Sequence, residues 1–489
     1  MNLPDRFINR MNEYFSRLNV PAEEVEAFYS SFENKPLKGI RMNRLKVNRD
    51  SDESVLKALG ENSVKPVQWC ESGYYIDLEA SGKDPYYHAG VYYPQEPSAM
   101  LPGQVLAAKP GDFVLDLCAA PGGKSCRIAE DLKGEGILVA NEINEDRAKA
   151  LLRNIERMGI SNAVILNETP ENIADKLPCF FDKVLVDAPC SGEGMFRRDF
   201  QAISSWDKFG PDSCIPIQQT ILDSAYAVLK PGGELVYSTC TFCEGENEKG
   251  IADFLSRHPN MTIISHNNDI NGVTHLGEES DAAGAMRVWP HLSEGDGHFC
   301  VHLRKIGTAD GDREYTAPYV NRRKRNDNYS FGRSRDLLLE FYRSIVKKDY
   351  CAKYQKMIDG NLILHKDKIH ILPVPEETFN GLKVVKLGLY PGEIKCTTTE
   401  RIFTPSHSFI LTISNSELKD EVKINFVRDD ERVIRYLKGE TVIVNREEFP
   451  LLMKKGYVVV SVDGFNLGLG KITADGSIKN LYPKAWRLI

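Results

Sequence analysis

The stretch FVLDLCAAPGGKS, residues 113–125, constrains the fold of this chain more than any other. An apolar run ends in a loop of small residues, and a predicted helix follows from Lys124 to Leu132. In such an order, backbone N–H groups and a helix N-terminus face a ligand with no side chain between them. The stretch is therefore expected to form the first crossover of a doubly wound α/β domain. It is neither a GxGxxG fingerprint nor a P-loop, so alone it is equally typical of a cofactor loop and of an ordinary turn.

The sequence downstream alternates predicted strands and helices, as a parallel sheet requires. Five strands are predicted, at 113–118, 136–143, 163–167, 183–187 and 234–239, and two further apolar segments, 261–264 and 299–303, would complete the sheet. Glu142 ends the second strand, about twenty residues after the Gly-rich loop, where an acid commonly accepts the hydroxyls of a ribose. The alternative for this residue is a plain surface carboxylate.

Two cysteines follow two of these strands at the point where each strand ends. Cys190 comes after Asp187 in VDAPCSG, and Cys240 follows directly after YST. Because the carboxyl ends of parallel strands share one edge of the sheet, we expect the two thiols to converge there. A lone cysteine is usually a small buried hydrophobe, but a matched pair beside a cofactor loop favours a functional role. Zinc needs four ligands, and Cys126 and Cys243 do not complete a recognised zinc motif, so no metal site is predicted.

The chain of 489 residues is long enough for three or four domains. We predict a small α+β domain at 1–103, the α/β domain at 104–306, a basic and aromatic segment at 307–375, and a β-rich unit at 376–489. The net charge of −7 excludes a uniformly basic nucleic-acid binder but leaves local patches open. The 11 cysteines, the lack of an apolar leader and the lack of an apolar run of about 18 residues predict a reduced, cytoplasmic protein without a membrane span.

A basic patch lies after the predicted α/β domain. From residue 318 to 356 there are 11 Lys and Arg against 4 Asp and Glu, with aromatic residues interleaved. Cations with aromatics suit phosphate contact and base stacking, although the charged exterior of a small domain is the alternative. A second basic segment, RMNRLKVNR, is read either as a further contact or as a solvated strand edge. The candidate RNA contacts are Arg322, Arg323, Lys324 and Arg325 in the first segment and Arg41 and Lys46 in the second.

Three motifs together resemble those of the Sun/Nol family of RNA cytosine-5 methyltransferases: DLCAAPGGKS, VDAPCSGEGMFRRD and YSTCTFCEGENE. YYPQEPSAM, AMRVWPHLSEGDGHF and DGFNLGLGKI extend the likeness to the longer bacterial members, which methylate a decoding-region cytosine of small-subunit ribosomal RNA. The resemblance implies a Rossmann-like class I methyltransferase core with a mostly parallel seven-stranded sheet. It also implies a small α+β N-terminal domain and C-terminal RNA-binding domains that include a PUA-like unit. The implied cofactor is S-adenosylmethionine, and the implied partner is ribosomal RNA or the small ribosomal subunit.

The resemblance also implies roles for individual residues. A thiolate that adds to carbon 6 of cytosine activates carbon 5 for methylation, and a soft, ionisable cysteine suits that step. Cys240 would be this nucleophile, Cys190 would assist breakdown of the covalent adduct, and Asp187 would contact the cofactor, the base edge, or both. Glu142 would hold the ribose, and Glu168 or Thr169 would contact the adenosine. The loop around the methionine part would consist of Cys118, Ala119, Ala120, Pro121, Gly122, Gly123 and Lys124.

Three other hypotheses are compatible with parts of the sequence. A non-catalytic ribosome-assembly factor could keep the same fold. A methyltransferase for exocyclic amines would place an Asn or Asp, two prolines and an aromatic after the fourth strand, and the Ala-Pro-Cys at 188–190 argues against it. A transfer RNA substrate is the closest rival within the preferred class.

Overall fold

The computed structural model describes residues 3–61, 64–77, 81–266, 270–307, 329–359, 361–396, 400–445, 447–473 and 475–488. Within these ranges, no helix combines the length and the apolar character that crossing a membrane would require.

The N-terminal part begins with helix α1, Asp5–Arg17. It forms because Phe7, Met11, Tyr14 and Phe15 recur at helical spacing and are buried together as one stripe. Leu18, the next apolar residue, lies past the end of the helix and is 40% exposed. Strand β1 (Gly39–Met42) pairs antiparallel with β2 (Gly73–Tyr75) and β3 (Tyr92–Pro94) to form a small sheet. The other elements are α2 (Ala22–Ser31), α3 (Asp52–Ala58), α4 (Pro85–His88) and α5 (Leu101–Leu106).

The central part alternates strands and helices from residue 113 to 305, and each of the five predicted parallel strands is present. Its elements are β4 (Phe113–Asp116), α6 (Gly123–Leu132), β5 (Ile137–Asn141), α7 (Glu145–Arg157), β6 (Ala163–Leu166), α8 (Pro170–Lys176), β7 (Phe181–Asp187), α9 (Phe200–Lys208), α10 (Pro211–Val228), β8 (Leu229–Thr239), α11 (Glu248–Arg257), β9 (Met261–Ile263), β10 (Thr274–His275), β11 (Met286–Val288) and β12 (His298–Lys305).

The strands of this part belong to one mixed sheet, and the α/β fold is as predicted. The order β8-β7-β4-β5-β6 is parallel throughout, and β12 pairs antiparallel with β8. The expected seven strands are too few, since the described sheet has ten. The additional strands are short antiparallel pieces at its two edges, which carry too few residues for a sequence pattern. Both faces are covered by helices, so the parallel strands are almost entirely apolar and buried.

The C-terminal part holds two further sheets, with four strands (β13-β14-β16-β17) and five strands (β18-β20-β21-β22-β19). The four-stranded sheet extends from residue 362 to 405, so it crosses the boundary predicted at 375/376. The elements are α12 (Tyr329–Ile345), α13 (Cys351–Ile358), β13 (Leu362–His365), β14 (Lys368–Ile371), β15 (Val384–Lys386), β16 (Leu389–Cys396), β17 (Arg401–Pro405), α14 (His407–Leu411), β18 (Lys423–Phe426), α15 (Glu431–Leu437), β19 (Val442–Ile443), β20 (Gly456–Val462), β21 (Phe465–Ile472) and β22 (Ser477–Asn480).

The C-terminal part packs on the rest of the chain at several places, two of which involve its strands. Strand β15 pairs antiparallel with β6 and so forms one edge of the central sheet. The five-stranded sheet shares a hydrophobic cluster with the small N-terminal sheet. At that interface His88 Nδ1 lies 3.0 Å from the hydroxyl of Tyr482. The carboxyl ends of the parallel strands therefore sit in a framework to which distant parts of the chain contribute.

Candidate active site

The Gly-rich loop leaves the carboxyl end of β4 and enters α6. Gly122 has φ of 113°, a left-handed conformation that glycine adopts without strain, and α6 starts at the next residue. The backbone N–H of Ala119 donates to the carbonyl of Asn141 on β5, at 2.8 Å. From α7, Arg147 donates to the carbonyl of Ala120 and Asn154 to that of Pro121, at 2.8 and 2.7 Å. The loop is thus held by the neighbouring strand and helix.

Asp116 lies at the base of this loop and is fully buried. Its Oδ2 accepts a hydrogen bond from the Ser125 hydroxyl at 2.5 Å, and its Oδ1 has no hydrogen-bond partner in the structure. Burial raises the pKa of Asp116 to about 7. A buried polar atom without a partner needs a ligand or water. The bare glycine turn and this orphaned oxygen fit a polar cofactor bound over the end of β4.

Glu142 and the next strand end line the same edge. Glu142 is 3% exposed, and one of its carboxylate oxygens accepts from the backbone N–H of Asn144 at 2.9 Å. The side chain of Thr169 caps helix α8 by accepting from the N–H of Asn172, and the Glu168 carboxylate accepts from the N–H of Lys383. The side chains of Thr169 and Glu168 are thus both engaged in hydrogen bonds within the protein. Their predicted contacts with adenosine, like that of Glu142 with ribose, stay predictions.

The two cysteines converge as expected. Sγ of Cys190 and Sγ of Cys240 lie 3.4 Å apart, within hydrogen-bond distance for thiols, and both residues are partly exposed. The hydrogen bond to Cys240, followed by burial, raises the pKa of Cys190 well above its ordinary value. This bond is stabilising when Cys190 keeps its proton and donates it towards a thiolate at Cys240. Among the described residues, no group of three or more His, Cys, Asp or Glu side chains is arranged to hold a metal ion.

Asp187 lies at the end of β7, next to the thiols. Lys124 Nζ donates to Oδ2 at 2.7 Å, and the Ser238 hydroxyl donates to Oδ1 at 2.9 Å. The ring of His298 lies 3.7 Å from Oδ1. Burial alone would raise the pKa of Asp187, but Lys124, His298 and Ser238 outweigh burial and hold that pKa below its ordinary value. The carboxylate is therefore ionised at neutral pH, and its side chain is 33% exposed at this edge of the sheet.

The position of Arg41 argues against its predicted contact with RNA. Its side chain is fully buried between the small N-terminal sheet and the Gly-rich loop. The guanidinium pairs with Glu130 at 2.5 Å and donates to the carbonyl of Gly123 at 2.9 Å. Charge pattern could not separate this role from an exposed one, because the partner Glu130 is 89 residues away in sequence.

The other predicted RNA contacts divide into two groups. The ammonium of Lys46 donates to the backbone carbonyls of Ala89 and Arg157, at 2.7 and 3.0 Å, and burial lowers its pKa to about 7. This side chain therefore joins two parts of the fold, which argues against the predicted contact. Arg322, Arg323, Lys324 and Arg325 lie outside the described residues.

Sequence reasoning missed two buried glutamates near the thiols. Glu193 accepts from Arg10 of α1, from the indole N–H of Trp206 and from the backbone N–H of Phe242. Glu246 binds the segment that carries Cys190. For Glu246 the available signal was the run CEGENE, residues 243–248, since three acids beside an apolar strand end are costly to bury without partners.

Four family models match the chain. The model described as 16S rRNA methyltransferase RsmB/F matches residues 103–304, and the N-terminal domain of 16S rRNA methyltransferase RsmF matches residues 3–97. The RsmF rRNA methyltransferase first C-terminal domain matches 349–413, and the methyltransferase RsmF PUA domain matches 423–488. Together these segments cover most of the chain.

Individual relatives give the same result. Two proteins named ribosomal RNA small subunit methyltransferase F, from Shewanella loihica and Vibrio vulnificus, are each 28% identical to this chain. The matches cover 93% of this chain and 90% of the Shewanella protein, and 99% of this chain and 97% of the Vibrio protein. The protein of that name from Erwinia tasmaniensis is 32% identical over 62% of this chain and 64% of its own length.

Solved structures agree in fold. The crystal structure of PH0851 is 29% identical, with a TM-score of 0.56 over 62% of this chain and 66% of its own. The structure of NSun6 from Pyrococcus horikoshii with SFG is 21% identical, with a TM-score of 0.50 over 60% of this chain and 97% of its own. The latter likeness bears on the fold alone.

Proposed function

The chain belongs to the RsmF family of 16S rRNA methyltransferases, and from this premise we propose that it methylates carbon 5 of a cytosine in that RNA. The observation that carries the proposal is the pair of thiols 3.4 Å apart at the ends of β7 and β8, beside the Gly-rich loop. A covalent route to carbon 5 needs one sulfur to attack and a second group to help that sulfur leave.

Cys240 attacks carbon 6 of the cytosine as a thiolate. The Cys190 thiol donates a hydrogen bond to it, which stabilises the anion before attack. The new sulfur–carbon bond makes carbon 5 electron-rich enough to accept a methyl group. S-adenosylmethionine, when bound, supplies that methyl group on a sulfonium centre.

Cys190 then assists the reverse step. The proton on carbon 5 passes to water, its electron pair restores the double bond between carbons 5 and 6, and the carbon–sulfur bond breaks. Cys240 leaves with the bonding electrons as a thiolate, and the Cys190 thiol again donates a hydrogen bond to that sulfur. One hydrogen bond therefore stabilises the thiolate both before attack and on departure.

Asp187 orients the base. Its carboxylate is ionised and partly exposed, and each oxygen keeps acceptor capacity beyond its bond to Lys124 or Ser238. The exocyclic amine of cytosine is a hydrogen-bond donor that carboxylates accept. The base must be unpaired or extruded to reach this position, because carbon 6 is hidden inside a duplex.

The protein groups around the donor site fit a cofactor of this kind. Gly122 provides the left-handed turn into α6, and the unpartnered Oδ1 of Asp116 can accept from an ammonium or hydroxyl group. Cys118 to Lys124 would surround the methionine part, and Glu142 would hold the ribose. The C-terminal PUA domain would bind ribosomal RNA. We also propose that the protein acts in the cytoplasm, as the sequence predicts.

The test uses small-subunit ribosomal RNA and small subunits from cells that lack the gene. Transfer of labelled methyl groups to this RNA, lost in Cys240→Ala, is the expected result. Bisulfite sequencing of total RNA then locates the modified position. No transfer to any RNA would leave a non-catalytic assembly factor, and a modified cytosine in transfer RNA would replace the ribosomal substrate.

A further inference from the structure

The carboxylate of Glu246 lies beneath the segment that carries Cys190. The residue is 1% exposed. Its Oε2 accepts from the backbone N–H of Ser191 and from the side-chain amide of Gln218, both at 2.9 Å. Its Oε1 accepts from the Ser191 hydroxyl at 2.5 Å. Three donors converge on it, so the buried group is satisfied as an acceptor at both oxygens.

These bonds fix Cys190 from both sides in sequence. Ser191 follows Cys190 and is bound to Glu246 directly. Pro189 precedes Cys190, and its carbonyl accepts from the same Gln218 amide at 2.9 Å. Removal of the carboxylate therefore frees Ser191 and leaves the Gln218 amide, which holds Pro189, without its second acceptor.

Cys240 is held by other groups. Its carbonyl accepts from the N–H of Gly194 at 2.9 Å, and it directly follows strand β8. The carbonyl of the next residue, Thr241, accepts from the side chain of Asn247 at 2.9 Å. The Glu246 carboxylate reaches this segment only indirectly, through the 2.7 Å contact between the hydroxyls of Ser191 and Thr241.

We propose that Glu246 is a positioning residue that holds Cys190 against Cys240 for breakdown of the covalent adduct. The inference rests on the proposed function. Because Cys240 keeps its own supports, loss of the carboxylate disturbs breakdown more than attack. A displacement of about 1 Å can cost on the order of 100-fold in rate, so the slow step becomes release of the RNA.

The experiment compares Glu246→Gln with Glu244→Gln in the full-length protein. Glu244 lies two residues away, but its carboxylate pairs with Arg17 instead of the Cys190 segment. Each variant receives unmethylated small-subunit ribosomal RNA and S-adenosylmethionine. The fraction of protein cross-linked to RNA on denaturing gels and the rate of the first methyl transfer are measured. Cys190→Ala serves as the trapping reference, and circular dichroism checks folding.

Glu246→Gln is expected to accumulate at least about tenfold more adduct than the unmodified protein, with a first transfer slowed less than about threefold. Glu244→Gln should match the unmodified protein in both. If Glu246→Gln does not fold, Ser191→Ala, which removes one of the three bonds, should give a smaller accumulation in the same direction.

Two results would overturn the inference while the proposed function stands. One is trapping by Cys190→Ala with no extra adduct in the Glu246 or Ser191 variant. The other is an equal loss of transfer and of adduct in a folded variant, which would mean that the carboxylate supports the whole site. If Cys190→Ala itself traps no RNA, the proposed function fails first.

Discussion

The two ends of the strand pair β7–β8 carry similar charges and differ in what those charges can do. At the amino end, Lys183 pairs in register with Glu234; at the carboxyl end, Asp187 pairs in register with Ser238. The Glu234 carboxylate contacts Lys183 and Arg304, both at 2.7 Å, and the ring of His302 at 3.4 Å. A carboxylate in contact with an ammonium, a guanidinium and an imidazole group has little acceptor capacity left for a substrate.

Asp187 has a single strong cation, Lys124, and lies beside two thiols and a glycine loop. Lys124 stabilises the negative charge of Asp187 without covering the whole carboxylate. A largely buried carboxylate can therefore bind a substrate only when its protein partners leave part of it uncovered. Each of the following substitutions tests this difference between the two ends.

The largest difference in activity is expected when the carboxylates of Asp187 and Glu234 are removed one at a time. Asp187→Asn should lower kcat/KM for methyl transfer by about 100-fold or more, because an amide binds the base edge less well and loses its pairing with Lys124. Glu234→Gln, at the other end of the same strands, should stay within about threefold. Steady-state transfer assays at pH 7.5 give both values, and similar losses in the two variants would abolish the distinction.

Removal of the cation at the carboxyl end should change the pH profile. Burial raises the pKa of Asp187 and Lys124 lowers it, so in Lys124→Met the pKa of Asp187 should rise. The base must bind to the ionised form, and activity is lost as the pH falls through this pKa. The acid limb of kcat/KM should therefore move to higher pH, with a fall of about tenfold at neutral pH.

The matched control for this shift is Lys183→Met at the amino end. Its ammonium contacts Glu234, far along the strands from Asp187. If the acid limb moves equally in both variants, Lys124 affects activity through the stability of the fold and not through the pKa of Asp187.

The amino end should account for stability. The His302 contact, with Lys183 and Arg304, holds the pKa of Glu234 well below its usual range. Such a group stabilises the fold above its unfolded pKa of about 4.3, and that contribution disappears as the pH falls. Glu234→Gln should lower the free energy of unfolding at pH 7 by about 1 to 3 kcal/mol. Urea denaturation at pH 7 and pH 3.5 should show the gap shrinking at the lower pH; a constant gap would contradict the assignment.

His298 should have the smallest effect. Burial, with Lys124 close by, lowers the pKa of His298 to about 4, so the ring is neutral at pH 7. His298→Gln should change kcat/KM by less than about threefold and leave the profile between pH 6 and 8 unchanged. A shifted profile would mean that this ring carries charge in the working enzyme.

The sequence was sufficient for features set by strand ends. Parallel strands place their carboxyl ends together, so the convergence of Cys190 and Cys240 followed from their positions alone. Pairings across long separations were not accessible. The charge pattern around Arg41 did not reveal its buried partner Glu130, and the carboxylate of Glu246 is bound by residues of two separate segments, Ser191 after β7 and Gln218 on α10. The edge strand β15 joins the central sheet from more than 200 residues beyond β6, which no local pattern indicates.

The most direct test of the account is to locate the covalent bond. RNA trapped by Cys190→Ala should be digested with nuclease and protease, and the modified peptide identified by mass spectrometry. We expect a methylated cytidine nucleotide on the peptide containing Cys240. A nucleotide on another residue, or an adduct that persists when Cys240 is also replaced by Ala, would contradict it.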